Sequence, residues 1–277
     1  RGTQPVKSVV SVMADNGLSS NFDVYVLGYG CQYQGGYVFS VDDTTIKTSS
    51  IGGKVASLVN QATPSFSNNP INAGGVVWSS NGLPGGVGTI NNNFDNTVIL
   101  GIDQTSTPST PSPTTPPYPA GAPTYAACDG AYDGTCDANN IVSFYNYYRA
   151  SGGAAPTPLN LYAAGLCRVP GGISGYNDWY LPAICELGFA SANGAFPCTT
   201  ITQNMQSSLA FLITPAPCSV NQTCLSGIYW SSTETLVNPT TNAWFHRFNV
   251  PPVASARGQG LKRFQDGVRC IRALTIT

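Results

Sequence analysis

Tyr176-Asn-Asp-Trp-Tyr-Leu-Pro-Ala-Ile-Cys-Glu-Leu187, YNDWYLPAICEL, crowds aromatics, a proline, a cysteine and an acid into one short run with no catalytic grammar. Pro182 has a preset φ and no amide hydrogen, which suits the first turn of a helix. Ile184, Leu187 and the preceding Leu181 then face a core, and Trp179 beside Leu181 reads as a core aromatic. On residue types alone the stretch is scaffold. The rest of the chain decides what it supports.

Working outward, the chain has 277 residues, 42% of them apolar, enough for a sizeable core in each of two domains. Only 9% are charged, the formal net charge is −1, and Gly and Pro are frequent. That balance suits short strands and turns better than a cytosolic helical enzyme. Nine cysteines, several closely spaced, point to an oxidising compartment and hence to an extracellular or cell-surface location. The chain starts at Arg1 with no charged and apolar leader, which leads us to expect that any signal peptide has been removed. No apolar run approaches the ~18 residues a membrane-spanning helix needs, so direct membrane insertion is not expected.

Residues 105–123, TSTPSTPSPTTPPYPAGAP, hold seven prolines among Ser and Thr, a composition that favours extended polyproline II and buries no core. The segment reads as a linker between domains at 1–104 and 124–277. Before it, β-prone runs alternate with turn signals: Val6–Met13, Phe22–Leu27, Tyr37–Lys47, Lys54–Val59, Gly75–Ser79 and Thr97–Ile102. This spacing predicts an all-β, immunoglobulin-like sandwich, with one or two helical turns over 54–61 as the alternative.

After it the period changes. Ile141, Phe144, Tyr145 and Tyr148 fall at helical spacing, with Asp137 or Asn139 as a cap and Gly152 as a stop. Met205, Leu209 and Leu212 repeat the pattern more weakly. From Gly227 onward IYWSST, AWFHRFNV and GVRCIRALTI read as strands, so the second domain is predicted to be α+β.

Eight of the nine cysteines follow the linker, enough for four disulfides. Cys128 with Cys136 and Cys218 with Cys224 can close small loops. Cys167 with Cys270 is the expected long-range bridge, which leaves Cys185 with Cys198, although eight cysteines allow 105 pairings. Zinc fits poorly, since no CxxC pair occurs. Cys31 stands alone before the linker, as a buried thiol in preference to an intermolecular link.

The ordered set DWYLP (178–182), Glu186-Leu187, YWSSTE (229–234), Ala243-Trp244 and VRCIR (268–272) resembles the bacterial Lcl C-terminal domain family, a C-type-lectin-like fold of secreted and surface adhesins. The resemblance covers about residues 125–277. Two departures are Tyr180, where the family usually has Arg, and the larger number of cysteines. The resemblance implies a binding module whose loops and C-terminal strands carry specificity, as in related domains of diversity-generating retroelement proteins. The fold is shared with sulfatase-maturing oxidases, whose reactive cysteine arrangement is not recognisable here.

Charge points to the same region. Six of the twelve basic residues lie from Arg247 onward, Arg247, Arg257, Lys262, Arg263, Arg269 and Arg272, against the single acid Asp266. If they share a face they would attract sulfated or carboxylated polysaccharide. Otherwise Arg269 and Arg272 pair with Glu234 or with backbone carbonyls inside the fold, whereas Arg257, Lys262 and Arg263 belong to a Gly-rich loop. Alternation in AWFHRFNV sets Trp244, His246 and Phe248 on one face and Phe245, Arg247 and Asn249 on the other. With Trp244 buried, the candidate ligand contacts are Phe245, Arg247, Asn249, Arg257, Lys262, Arg263 and Phe264.

Chemistry beyond contact is not expected. His246 is the only histidine, no nucleophile motif accompanies it, and a structural role is expected for it. Asp129, Asp133 and Asp137 recur among glycines in an oxygen-rich segment, without the alternating ligands and terminal Glu of an EF-hand. The sugar-calcium signatures of animal lectins, the P-loop, GxSxG and HExxH are also missing. No cofactor, metal or nucleic acid is therefore expected. The expectation is a bacterial adhesin whose C-terminal domain binds glycan or a surface protein. The alternative is a subunit of an extracellular filament or pilus, associating with copies of itself and lending the Val6–Met13 strand to a neighbour's sheet.

Overall fold

In the computed structural model the described residues are 4–41, 52–65, 74–80, 98–104, 125–151, 157–189, 198, 203–214, 218–249 and 256–275. The proposed linker 105–123 lies outside them, as do residues 42–47 of the expected third strand and Gly152. The fold is β-rich with few helices.

β1 (Val6–Met13) and β2 (Ser19–Val26) form an antiparallel ribbon. β3 (Gln32–Tyr33), β4 (Gly36–Ser40) and β5 (Lys54–Ser57) form a second sheet, which is completed by β9 (Ile271–Ala273) in the order β3-β4-β5-β9. β6 (Gly227–Glu234), β7 (Asn242–Phe248) and β8 (Ala256–Leu261) make a third, antiparallel sheet.

The expected self-contained sandwich over 1–104 is thereby corrected. β5 pairs on one side with β4 and on the other with β9, so strands from both sides of residues 105–123 share one sheet. Alternation explains the burial. Val38 and Val55 enter one apolar cluster, while Tyr37, Phe39, Ala56 and Ile271 enter another on the opposite face. A sheet covered on both faces reads as a continuous apolar run, and YVF and KVAS read the same from a sandwich or from a central layer.

Further stitching crosses the expected boundary. Ala62 bridges Val268, Ser65 bridges Ile228, Val76 bridges Asp266 and Asp103 bridges Glu234. Trp78 donates its indole N–H to Ser231 O at 2.7 Å, and Trp230 donates its own to Val76 O at 3.0 Å. Of the runs expected as strands, 75–79 contributes the single bridge at Val76, 98–102 contributes the buried Ile99 and Ile102, and residues 54–57 are strand, not helix.

α1 (Gly134–Ser151) carries the expected apolar stripe, with Ile141, Phe144 and Tyr145 buried. Its start differs from the expectation. Asp133 Oδ1 accepts from Cys136 N at 3.0 Å and does the capping, whereas Asp137 lies inside the helix and is buried. Short helices follow at α2 (Ala163–Leu166), α3 (Ile184–Leu187) and α4 (Met205–Ser208).

Disulfides join Cys128 to Cys136, Cys167 to Cys270, Cys185 to Cys198 and Cys218 to Cys224. These are the four expected pairs, two from close spacing, Cys167 with Cys270 as the long-range bridge and Cys185 with Cys198 as the remainder. Cys31 is buried and stands outside them.

YNDWYLPAICEL is scaffold throughout its second half, with residues 179–187 all buried. Arg272 binds Asp178 through two N–H groups at 2.6 and 2.8 Å and stacks 4.0 Å from the Tyr176 ring. Tyr180 lies beside a buried ion pair. Lys54 of β5 reaches Glu186 at 2.7 Å, and the Tyr180 hydroxyl lies 3.4 Å from the same oxygen.

Candidate functional site

The expected contact surface on β7 and β8 does not assemble. Phe245 is buried, with its ring edge-on to Trp230 at 6.5 Å. The ring lies across Gly258 of β8, where a Cβ would come within 2.4 Å of it, so glycine is what lets the strands approach. Trp244, expected inside, is partly exposed and donates to Gln104 Oε1. The expected alternation holds at His246 and Phe248, which are buried, and at Arg247 and Asn249, which are partly exposed, and it fails at Trp244 and Phe245, because the space over Gly258 beside Trp230 takes the Phe245 ring.

The basic run is likewise inside. Lys262, expected in an open loop, is fully buried against Glu234 and lies 4.5 Å from the Trp78 ring. Arg257, expected in the same loop, is a buried residue of β8. Arg269 is buried and donates to Asn60 Oδ1 at 2.9 Å, Ser57 O at 2.7 Å and Cys224 O at 2.7 Å, with Thr223 O and Gln222 O at 3.1 and 3.3 Å. The alternative, in which Arg269 and Arg272 turn inside the fold to meet Glu234 or backbone carbonyls, holds for Arg269 on its carbonyls, whereas Arg272 pairs with Asp178. Glu234 belongs to Lys262 instead. Of the seven candidate contacts, Arg247, Asn249, Arg263 and Phe264 stay partly exposed, and Phe264 also packs against the main core.

His246 is fully buried between Phe248, at 4.6 Å, and the backbone of Gly188. Neither ring nitrogen has a hydrogen-bond partner among the described residues. Burial first, and the neighbouring Arg257 second, push the imidazole down to about 3, so it is neutral.

Among Asp129, Asp133 and Asp137 the roles diverge. Asp133 caps α1, and Asp137 accepts from Ser232 Oγ at 2.9 Å, its carboxyl raised well above the usual range by burial. Among the described residues no group of three or more His, Cys, Asp or Glu is arranged to hold a metal ion.

Asp266 is the clearest titrating group. It is buried in the bridge to Val76 and accepts from Ser65 Oγ. Burial pushes its carboxyl up to about 7, which the Ser65 hydrogen bond and the charge of Arg247 oppose. The folded chain therefore holds this proton more tightly than the unfolded chain, and the stability it contributes is lost as pH rises from ~4 to ~7. The thermal stability of Asp266→Asn relative to the parent should improve across that window by on the order of 3 to 4 kcal/mol. A pH-independent difference between the two would refute the assignment.

The surface that remains is the β1–β2 ribbon. Every residue of both strands is exposed. Its turn closes with Gly17 N donating to Ala14 O at 2.9 Å, Leu18 N donating to Asn16 Oδ1 at 3.1 Å, and Gly17 at φ +82°, a left-handed position that glycine adopts without strain. Both strands were expected from the sequence, but not that, among the described residues, they pair only with each other. The signal was Asn16-Gly17 between two β-prone runs. No helix among the described residues is long and apolar enough to cross a membrane.

Compared with protein-family models, with curated proteins and with solved structures, the chain finds no match in any of the three.

Proposed function

We propose that this chain is a structural subunit of an extracellular assembly, associating with copies of itself through its N-terminal ribbon and displaying the disulfide-braced body. The observation that carries this reading is the ribbon, sixteen strand residues with none buried. A two-stranded hairpin is marginal on its own in water, and exposed apolar area of this extent marks an interaction site. Val6–Met13 is already paired with its own β2, so a whole ribbon, not a lent strand, makes the contact. Four disulfides support an oxidising, extracellular setting.

The body is proposed to be C-type-lectin-like and to act by contact, without bond chemistry. What supports it is the meeting of Asp178 with Arg272, residues far apart in the chain that belong to two of the resembling motifs. An adhesin reading that rests on anionic glycan loses most of its cations to the interior.

Sedimentation of the full, disulfide-intact chain from ~1 to ~100 μM tests the assembly reading, since mass action then drives association. The expected result is a mean mass that rises with concentration. A monomer across the whole range would sink it.

A further inference from the structure

The ribbon does not expose its residues at random. Directly opposed residues in an antiparallel pair share a face. The register therefore sets Val6, Val26, Ser8, Val24, Val10, Phe22, Val12 and Ser20 on one face, and Lys7, Tyr25, Val9, Asp23, Ser11, Asn21, Met13 and Ser19 on the other.

The second face is mixed, with Val9, Met13 and Tyr25 exposed among charged and polar residues that partner one another. Lys7 pairs with Asp23 at 2.8 Å and lies 5.9 Å from the Tyr25 ring, and Ser11 Oγ donates to Asn21 Oδ1 at 2.6 Å. The first face has no charge and six apolar side chains of eight. Their exposure runs from 42% at Val24 to 62% at Val6. In amphipathic β-structure the apolar face is the one that packs on a core. Among the described residues nothing covers this one.

We infer that this apolar face packs on the same face of a second copy's ribbon, in a two-fold pair whose polar faces look outward; this rests on the self-assembly reading above. Two observations select a second copy. A two-fold contact brings each patch onto itself, which like charges would oppose, and this face has none. It also carries one large side chain, Phe22, and two small ones, Ser8 and Ser20, so knob and hollow are both present on a single copy.

The area agrees with a weak pair. Six half-exposed side chains of this size present on the order of 500 Å² per copy, about 1,000 Å² for the pair, at the lower edge of specific interfaces. Association in the micromolar range follows, strengthened wherever several ribbons act together.

The test compares two double variants in the full, disulfide-intact chain. Val10→Lys with Val24→Lys charges the apolar face, and Ser11→Lys with Ser19→Lys charges the polar one. The expected result is a dissociation constant raised about 100-fold by the first pair and changed less than about 3-fold by the second. The ribbon leaves the main core almost untouched, so the thermal midpoint of the body should be equal in parent and variants, and Phe22→Ser offers a milder apolar-face change.

If the parent associates and the two double variants weaken it equally, or neither does, face packing is wrong while self-assembly stands. A monomeric parent overturns the assembly reading itself. A monomeric parent that sediments with phosphatidylglycerol vesicles, and loses this with Val10→Lys and Val24→Lys, would assign the face to a lipid surface and overturn the pairing.

Discussion

Arg269→Met is expected to remove about 3 to 5 kcal/mol of stability, because buried acceptors left without a donor cost roughly 1 to 3 kcal/mol each. The guanidinium ties Ser57 of β5, Asn60 and the loop closed by Cys218 and Cys224 to one point, with no carboxylate among its partners. For a chain of this size such a loss lowers the melting midpoint by roughly 10 °C or more. Arg269→Lys brings three donors from a different position and should recover only part of it. Thermal unfolding with the disulfides intact measures both. A loss below about 1 kcal/mol for Arg269→Met would show that the loop re-forms its hydrogen bonds without the side chain.

Lys262→Met is the second large effect, with a sign that depends on pH. Glu234 is fully buried and accepts from Ile99 N at 3.1 and 3.2 Å as well as from Lys262. Burial already pushes its carboxyl up to about 7 against the opposing pull of Lys262. Without the lysine it rises further. At pH 8 the variant must either bury an unpaired carboxylate or take up a proton against the solution, and should lose about 3 to 5 kcal/mol. Near pH 5 the carboxyl is protonated at little cost and the loss should shrink to about a third. Adding Glu234→Gln to Lys262→Met should restore most of the stability at pH 8, since an ion pair replaced on both sides is often close to neutral. An equal loss at both pH values would exclude titration of Glu234 as the cause.

These two cations explain why the candidate site was misread. From the sequence, six basic residues with one nearby acid make a patch. In the fold, Lys262 meets Glu234, Arg272 meets Asp178, and Arg269 meets carbonyls. Each partner lies well away in the chain, and Ser57 is 212 residues from Arg269. Charge density along the chain contains no information about such partners. Short-range features were more legible. The helix at Ile141, the strands at Val6 and Gly227, the core role of Trp179 and the close cysteine pairs all rest on local periodicity or spacing.

The domain boundary failed for a related reason. A Pro-rich segment marks where the backbone cannot be regular, and it does not say whether the flanking strands pair with each other. Lys54 to Ser57 looks the same whether its neighbour is β4 alone or β4 and β9 together. The ribbon was legible as two strands, and its isolation was not, because sequence shows which residues are apolar without showing what covers them.

The place of β5 between β4 and β9 has a consequence for how the chain reaches its native state. The central strand of the sheet waits for a partner made near the far end of the chain, and Cys167 waits for Cys270. During synthesis or export, most of the polypeptide has emerged before its interior can close. Contacts this distant in sequence make for slow, late folding. Until β9 is made, one edge of β5 stays unpaired beside a ribbon whose apolar side chains are exposed, so premature association is the characteristic hazard of this topology.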